Sequence, residues 1–313
     1  MGGSVVILNR AKAQKNDEFY TPQAVINNEL IHYKDHFKDK VVYCNCDDPE
    51  WSEFYKFFKL RMALYGIKKL ISTHYVLPNT TGIAYKLVCV LNENREVIET
   101  RTQLEGNGDF RSPECVALLE QADIVCTNPP FSLFREYVAL LMQHNKKFLI
   151  IGNINAPTYA EFYTLFKQKL VWSGIHNSGT MPFALSKEAL LRHPDKCNDY
   201  TRINTTWYTN LGHTKQKENI KLYATYSPEK YPKYDNFDAI SVNKVAEIPQ
   251  DYFNNMGVPI TFLLRHNTDQ FEIVGSDREL TKQLTGKVQR FVIKGKKLYA
   301  RIVIKRKGIC NGD

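Results

Sequence analysis

The sequence predicts an α/β fold in which a central parallel sheet carries helices on both faces. Short apolar runs, typical of buried strands, recur through the first half of the chain. Segments with apolar residues at helical spacing follow most of these runs, so strands and helices alternate. The 313 residues, of which 43% are hydrophobic, suffice for one large domain or for a main domain with a smaller companion.

Local start and stop residues support the individual helices. Thr21 and Pro22 form a good cap and first-turn pair for the first helix, and Gly66 closes the second. Ser112 caps the third helix, with Pro113 at its first position. Helices are predicted at residues 23–37, 49–66, 112–122 and 132–144. Strands are predicted at residues 40–46, 68–76, 123–128 and 146–153.

The remaining segments depart from this alternation. Residues 85–101 predict a hairpin around residues 92–94, inserted into the main pattern. After residue 210 the chain becomes rich in Tyr, Lys, Asn and Pro and lacks long periodic segments. Residues 286–308 predict two alternating strands around a Lys-Gly turn, whose charges either protect a sheet edge or face phosphates. We therefore expect a first domain over residues 1–210 and a second over residues 211–313.

Ligands of parallel sheets gather at the carboxyl ends of the strands, near the point where the strand order reverses. The loops that matter most are those after Cys46, Val76 and Thr127. The last of these contains two consecutive prolines, in the stretch DIVCTNPPFSLFREYV at residues 123–138. Proline neither donates to a sheet ladder nor continues a helix, so the pair marks a special junction.

The chemistry of this junction suits a planar heterocycle with an exocyclic amine. Pro129 and Pro130 remove backbone donors and hold the chain extended, so carbonyl oxygens and the Asn128 amide present acceptors. Phe131 adds a flat apolar face beside them. Methylation of an adenine amine needs two such acceptors, and in duplex DNA the base must first be flipped out of the stack. The alternative is a simple strand terminator with one packed aromatic ring.

Bulk composition narrows the class of protein. The net charge of +9 favours a polyanionic partner, although a generally solvated basic surface is the common alternative. The seven cysteines form no CxxC pair, which favours buried thiols over disulfides or metal ligands, so no metal is expected. No apolar run reaches about 18 residues, so a cytoplasmic protein without a membrane span is expected.

Seven blocks of sequence match a known pattern in the same order. They are KNDEFYT at 15–21, DKVVYCNCDDPEWSEFYKFF at 39–58, GNGDFRSPE at 106–114, DIVCTNPPFSLFREYV at 123–138, KKFLIIGNINA at 146–156, YPKYDNFDAISVNK at 231–244 and MGVPITFL at 256–263. With these blocks the chain resembles the EcoRI-type adenine-N6 DNA methyltransferases, which use S-adenosylmethionine. The resemblance implies a Rossmann-like methyltransferase sheet with a C-terminal target-recognition region.

The resemblance also implies roles for individual residues. Asn128 and Pro129 would hold the adenine amine, Pro130 would shape the turn, and Phe131 would stack on the flipped base. Predicted cofactor contacts are Phe19, Tyr20 and Thr21 beside the methionine moiety, and Asp109 and Phe110 near the adenine of the cofactor.

The loop after the first strand departs from methyltransferases in general. Most carry an acidic residue and a Gly-x-Gly turn there, whereas this chain has NCDDPEWS without glycine. Cys46, Asp47 and Asp48 are assigned to the cofactor, with the two carboxylates as partners for its cationic amino group. Helix N-terminal carboxylates favoured by the dipole and by Pro49 are the alternative reading of both. The second strand ends without the usual ribose-binding acid.

Five residues are candidates for contact with DNA, because phosphates need Lys or Arg and base edges need Arg, Asn or Gln. They are Arg135, Lys233, Tyr234, Asn236 and Arg265. Taken alone, each is better read as a solvated surface group, so the cluster carries the argument for DNA contact, and Trp207 is read as core. The expected partner is double-stranded DNA, bound by a monomer that needs no stable protein partner. A restriction endonuclease acting on the same site is the expected counterpart, and GAATTC is the first sequence to test.

Three rival functions stay open at this point. A methyltransferase of the same fold can act on cytosine N4 or on a glutamine amide, which also use an Asp, Ser or Asn before Pro-Pro-aromatic. A DNA-binding decoy without catalysis is the second rival, although it would need neither NPPF nor EFYTP. A nuclease is disfavoured because no Asp…Glu-x-Lys cluster is convincingly placed for metal ions.

Overall fold

The computed structural model describes residues 21–46, 48–77, 81–177, 179–184 and 200–308. The chain divides into two compact units. The first unit comprises Met1–Ile154 and Ser173–His213, and the second comprises Asn155–Trp172 and Thr214–Asp313. Each unit has its own sheet and its own apolar core.

The first unit holds most of the regular structure. Its helices are α1 Gln23–Leu30, α2 Glu53–Tyr65, α3 Pro113–Gln121 and α4 Phe134–Gln143. Its strands are β1 Val41–Cys44, β2 Lys69–Thr73, β3 Tyr85–Leu91, β4 Val97–Gln103, β5 Ile124–Thr127, β6 Lys147–Asn153, β7 Trp172–Ser173 at the boundary, β8 Met181–Ala184, β9 Tyr200–Ile203 and β10 Thr205–Thr209. The predicted strands and the predicted hairpin are confirmed.

The main sheet has the strand order β4-β3-β2-β1-β5-β6-β10-β7. The four central strands β2, β1, β5 and β6 run parallel, while β3, β4 and β10 are antiparallel to their neighbours. From β1 the chain passes outward to β2 on one side and later returns to β5 on the other. The switch point of the sheet therefore lies between β1 and β5, whose carboxyl ends are adjacent.

Helices cover both faces of the sheet, as predicted. Val42 and Cys44 of β1 point into the main core together with residues of α1 and α2. Tyr43, between them, points to the opposite face, where its hydroxyl interacts with the Cys115 thiol of α3. Alternate strand residues thus meet helices on opposite sides, because successive side chains of a strand point in opposite directions.

The helix boundaries confirm most of the predicted caps. The Ser52 hydroxyl accepts a hydrogen bond from an amide in the first turn of α2, and Gly66 ends that helix with a left-handed φ of 65°. Ser112 caps α3, with Pro113 at the first position. The predicted cap at Thr21 is wrong. Pro22 occupies the cap position of α1 without a side-chain bond, and α1 continues as a 3-10 turn over Ile31–His36.

A buried carboxylate fixes the position of α1. Glu29 is fully buried, and its Oε1 accepts hydrogen bonds from the Tyr33 hydroxyl at 2.9 Å and the Ile175 amide at 2.7 Å. Its Oε2 accepts from the His176 amide at 2.7 Å. Because these donors satisfy the buried carboxylate, α1 is tied to the loop after β7, and Thr21 at its start is held in place.

The second unit contains helices α5 Ala160–Lys167 and α6 Asp277–Thr285. Its strands are β11 Ile240–Ser241, β12 Met256–Pro259, β13 Phe271–Ser276, β14 Val292–Ile293, β15 Lys296–Lys297 and β16 Arg301–Arg306. The sheet order is β11-β12-β16-β13, and β14 and β15 form a separate hairpin.

The C-terminal strands differ from the predicted pair of alternating strands. The turn at Lys294 and Gly295 is present, but β14 and β15 have only two residues each. The strand β16 lies instead between β12 and β13, with Ile302, Val303 and Ile304 all fully buried. Three consecutive buried residues require cover on both faces, which an alternating pattern does not predict.

Cysteine usage agrees with the sequence. The described cysteines are Cys44, Cys46, Cys89, Cys115 and Cys126. None of them forms a disulfide bond with another described residue, and all but Cys46 are buried. Among the described residues, no helix is long and apolar enough to cross a membrane.

A histidine in the second unit makes stability depend on pH. Burial lowers the pKa of His266 to about 4, helped by Lys169 and Lys307 and opposed by the bond between its Nε2 and the Phe271 carbonyl. The ring is therefore neutral in the folded protein at pH values at which the unfolded chain binds a proton.

Stability contributed by neutral His266 is present above the ordinary histidine pKa of about 6.5 and is lost as the pH falls toward 4. The free energy of unfolding decreases by at most about 3 kcal/mol through this group. We expect His266→Gln, which keeps a donor for the Phe271 carbonyl, to lose less thermal stability than the wild type between about pH 7 and pH 5. Thermal denaturation across this range measures the difference, and equal losses would contradict the assignment.

Candidate active site

The loops that follow β1 and β5 are tied together at the switch point of the sheet. The Thr127 hydroxyl at the end of β5 donates to the carbonyl oxygen of Asn45 in the loop after β1. The Tyr137 hydroxyl of α4 donates to the side-chain Oδ1 of the same asparagine. Asn45 is buried, so both of its oxygens are satisfied from the β5 side. The residues predicted to hold the amine and the loop predicted to bind the cofactor are therefore anchored at the same residue, Asn45.

The four residues of the double-proline turn connect β5 to α4. Asn128 is half-buried and Pro129 is buried. The Pro130 carbonyl accepts a hydrogen bond from the Leu133 amide at 3.0 Å, which closes a 3-10 turn over Phe131–Leu133. The turn fixes the direction in which the Asn128 amide and the Pro129 carbonyl are presented.

The Phe131 ring is positioned by packing. It lies edge-on to the fully buried Phe183, with centroids 6.3 Å apart and planes at 84°. Phe131 itself stays partly exposed. An aromatic ring that packs against a buried neighbour and stays partly exposed suits stacking on a planar group.

Cys46 shows how the loop after β1 turns without glycine. Its φ is 69°, in the left-handed region that favours glycine. Holding a residue with a Cβ atom in this region costs roughly 1–2 kcal/mol. The chain therefore keeps a sharp turn at the end of β1 although the expected glycines are missing. Asp47, predicted to contact the cofactor, lies outside the described residues.

Asp48 supports the turn and pairs with a histidine. Its Oδ1 accepts from the Glu50 amide at 3.0 Å, and its Oδ2 lies 3.2 Å from Nδ1 of His74. Burial raises the pKa of Asp48, but the hydrogen bonds from His74 and the Glu50 amide lower it by more, so it lies below its ordinary value. The carboxylate is charged at neutral pH. Both readings of Asp48 remain compatible with this geometry.

His74 stands at the end of β2, where no acid was found in the sequence. Its ring stacks on Tyr85 with centroids 4.9 Å apart, and the Arg101 guanidinium lies 3.5 Å from the centroid of the Tyr85 ring. Sequence reasoning identified the loop after β2 as important but missed His74. Its position directly after an apolar strand was the available signal.

The GNGDF block is bound to the same loop. The Val76 amide donates to the Asn107 carbonyl at 2.8 Å. Gly108 has a φ of 80°, and a Cβ atom there would lie 2.2 Å from the His74 carbonyl oxygen, so only glycine fits. Phe110 is buried with its ring edge-on to Tyr137 at 5.0 Å. The structure thus brings the predicted residues Cys46, Asp48, Asp109 and Phe110 to the carboxyl ends of β1 and β2.

Arg111 forms a bidentate ion pair with the Asp109 carboxylate. Its Nε lies 2.9 Å from Oδ1, and its Nη2 lies 2.7 Å from Oδ2. The Arg111 guanidinium lowers the pKa of Asp109, which stays charged. Oδ1 also accepts from the Arg111 amide at 2.9 Å, so the remaining acceptor capacity lies mainly on Oδ2. Nothing in the sequence pattern indicated this pairing.

The N-terminal cofactor motif is described only at its last residue. Phe19 and Tyr20 lie outside the described residues. Thr21 is buried, and its Oγ1 has no hydrogen-bond partner within the described part of the chain. A buried hydroxyl in this situation is compatible with a ligand contact.

The residues predicted to contact DNA are distributed over both units. Arg135 is exposed on α4 in the first unit, and Arg265 is exposed in the second. Lys233 is exposed, but its Nζ lies 3.0 Å from Asp238 Oδ1. Trp207, by contrast, is fully buried as expected.

Tyr234 and Asn236 bond backbone groups of their own unit. Tyr234 is buried, and its hydroxyl donates to the Gly257 carbonyl at 3.0 Å. The Asn236 amide donates to the Arg290 carbonyl at 3.1 Å and accepts from the Val292 amide at 3.0 Å. Both residues support the fold of the second unit, and their assignment to DNA contact stays a prediction.

Comparison with known proteins places the chain in one family. Residues 7–307 match the family described as adenine-specific methyltransferase EcoRI. The Type II methyltransferase M.EcoRI of Escherichia coli is 41% identical, over 96% of this chain and 96% of its own length. The Type II methyltransferases M.MgeORF184P of Mycoplasma genitalium and M.MpnI of Mycoplasma pneumoniae are 38% and 39% identical, over 96% of this chain and 99% and 98% of theirs.

No solved structure matches the chain. The family match and the relatives extend over almost the whole sequence, including the double-proline turn and the GNGDF block. The chain therefore belongs to the EcoRI family of adenine-specific methyltransferases and is a site-specific DNA adenine methyltransferase.

Proposed function

We propose that this methyltransferase transfers the methyl group of S-adenosylmethionine to N6 of an adenine flipped out of duplex DNA, with Asn128 to Phe131 as the site of transfer. The observation that carries the proposal is the pair of bonds from Thr127 and Tyr137 to Asn45. These bonds hold the double-proline turn beside the loop of Cys46 and Asp48, so two substrates bound there would meet.

Asn128 and Pro129 prepare the amine. The nitrogen of an adenine amine is a poor nucleophile because its lone pair is delocalised into the ring. Acceptance of its two hydrogens by the Asn128 Oδ1 and the Pro129 carbonyl localises the lone pair and orients it. Proline at 129 and at 130 offers no competing N–H donor to these acceptors.

Phe131 replaces the stacking that a flipped base loses. Removal of a base from the duplex costs a few kcal/mol, and an aromatic ring recovers part of this cost. The ring of Phe131 is pre-positioned against Phe183, so little side-chain entropy is lost when the base arrives.

Several residues of the first unit fit S-adenosylmethionine by their chemistry. The buried Thr21 hydroxyl, the turn at Cys46 and the charged carboxylates of Asp48 and Asp109 offer contacts for a cationic amine, a ribose and an adenine. When bound, this cofactor supplies an electrophilic methyl group. Asp48 would hold the cationic amino group, and Asp109, through Oδ2, would accept from the cofactor's adenine.

The second unit is proposed to supply target recognition. Residues 211–313, predicted as the second domain, fall largely in this unit, and residues 155–172 join them. Duplex DNA is the proposed substrate form, bound by a monomer. A restriction endonuclease that acts on the same site is the proposed counterpart.

Mass spectrometry of DNA after treatment with the enzyme tests the proposed reaction. A duplex containing GAATTC and a library of random duplexes are incubated with S-adenosylmethionine and digested to nucleosides. We expect N6-methyladenine in a defined context. N4-methylcytosine in its place, or no methylated base in any context, would overturn the proposal.

Asn128→Ala is expected to lower the rate of methyl transfer by at least about 10²–10³-fold, because the lost acceptor acts on the amine in the transition state. Calorimetric binding of S-adenosylmethionine is expected to stay unchanged. Ser132→Ala, at an exposed position in the same turn, is the matched control and keeps wild-type turnover. A rate near wild type for Asn128→Ala would refute the role of this residue.

Phe131→Ala is expected to weaken the productive flipped state by roughly 1–3 kcal/mol, the usual worth of a stacked base. Single-turnover rates on duplex DNA and the fluorescence of 2-aminopurine at the target position measure the effect. Phe131→Tyr keeps a stacking face and is expected to retain most activity. Wild-type turnover by Phe131→Ala would show that stacking on this ring is not needed.

Cys46→Gly and Cys46→Ala separate backbone strain from loss of the thiol. Both remove the thiol, but only glycine relieves the left-handed φ. We expect Cys46→Gly to be more stable than Cys46→Ala by about 1 kcal/mol and to bind S-adenosylmethionine at least as tightly. Thermal denaturation and calorimetry give both quantities, and greater stability of the alanine variant would contradict the strained turn.

A further inference from the structure

The positive charge of the protein is concentrated in one short segment of the second unit. Residues 277–308, called here the basic segment, contain eleven Lys and Arg residues against two acids. The resulting +9 equals the net charge of the whole chain, so the other residues sum to zero. A concentration of this kind is the electrostatic footprint of a polyanion-binding surface.

Both acids of the basic segment are already paired. Asp277 is buried, and its two oxygens each lie 3.0 Å from Nη1 of Arg290. Glu279 lies 2.6 Å from Nζ of Lys167 in α5. The local acids therefore neutralise Arg290 and a lysine from outside the segment and leave the other cations uncompensated.

Six cations of the basic segment are exposed and form no ion pair with any described residue. These six are Arg278, Lys282, Lys287, Lys294, Lys296 and Lys297. Two more exposed lysines follow at the end of β16, and Arg301 is buried. Uncompensated cations repel one another, so a free surface of this kind gains from a bound anion.

Part of this surface is concave. A cavity of about 470 Å³ lies between the start of α6 and the hairpin of β14 and β15. Its lining consists of Arg278, Val288, Gln289, Arg290, Val292 and Lys297. Arg278 and Lys297 are the uncompensated cations of this lining, and together with the Gln289 carboxamide they match the needs of an anionic group such as a phosphate.

Hydrogen bonds with Asp235 and Asn236 hold the backbone of the hairpin. The Asn236 amide bridges the Arg290 carbonyl and the Val292 amide. The Asp235 carboxylate accepts from the amides of Lys294 and Gly295 at 3.2 and 2.9 Å. The turn residues thus have fixed backbone positions, with the positive φ values of 48° and 74° that tight hairpin turns require.

An aromatic cluster anchors the same hairpin. Phe291, directly before β14, is fully buried. Its ring lies 4.6 Å from that of Tyr234 and 5.1 Å from that of Phe237, measured between centroids. The cations of the hairpin are therefore mounted on a rigid element, which reduces the entropy lost on binding.

We propose that the hairpin of β14 and β15, together with Arg278, binds backbone phosphates of duplex DNA. The inference rests on the proposed function and deepens it by naming the phosphate-binding surface. Lysine side chains act as point charges, which suits phosphates better than base edges. The surface would thus contribute affinity that does not depend on sequence.

The triple variant R278Q/K296Q/K297Q tests the surface. Binding of a short duplex of random sequence is followed by fluorescence anisotropy between about 50 and 200 mM salt. The slope of log K against log salt falls by about 0.9 for each phosphate contact removed, so a decrease of roughly 2–3 is expected. Calorimetric binding of S-adenosylmethionine is expected to stay at the wild-type value.

The control variant K34Q/K38Q/K68Q removes the same charge from exposed lysines of the first unit. We expect its salt slope to match that of the wild type. An unchanged slope in the hairpin variant, or equal decreases in both variants, would overturn the proposal. Aggregation of the hairpin variant with unchanged DNA affinity would also overturn it and would assign the charges to protection of a strand edge.

These outcomes are separable from a failure of the proposed function. Formation of N6-methyladenine by the wild type is measured independently and does not involve the hairpin variants. At subsaturating duplex, the hairpin variant is expected to methylate DNA more slowly than the wild type, in proportion to its loss of affinity. A loss of rate without a loss of affinity would contradict a role in phosphate binding.

Discussion

Two hydrogen bonds to Asn45 join the two loops that carry the candidate site of the first unit. At the switch point, the chain continues from β1 and from β5 toward opposite faces of the sheet, so adjacent strand ends alone do not fix one loop against the other. The Thr127 and Tyr137 hydroxyls join them by bonding the carbonyl and the side chain of one buried asparagine. Because Tyr137 also meets Phe110, the GNGDF block is drawn to the same place. One buried network thus links the double-proline turn, the loop after β1 and the GNGDF block.

The absence of glycine from the loop after β1 has a physical solution that sequence alone does not reveal. Cys46 adopts the left-handed conformation that glycine would otherwise provide. His74 follows β2, and its Nδ1 lies 3.2 Å from the Asp48 carboxylate. The chain thus combines a sharp turn after β1 with a carboxylate placed by a neighbouring side chain, without any glycine in that loop. Departure from a motif can leave the turn that the motif provides intact.

Sequence patterns predicted the structural features that depend on residues close together in the chain. The strands β1 and β5, the Ser52 and Gly66 boundaries and the double-proline junction all follow from local chemistry, and the structure confirms them as elements. Contacts between distant residues were not predictable. The partners of Asn236 lie more than fifty residues away, and an Asn in a polar segment reads equally well as surface or as support. The roles proposed for Asn128 to Phe131 stay predictions.

The YPKYDNF segment illustrates how a matching block can contain residues that support another element. The Tyr234 ring packs on Phe291, and Asp235 and Asn236 bond backbone groups of the hairpin. Such contacts need particular side chains, whereas the proposed binding of phosphates by the hairpin lysines would need only charge and exposure. Because the basic segment carries a net charge of +9 and the rest of the chain sums to zero, the proposed surface would attract a duplex whatever its sequence.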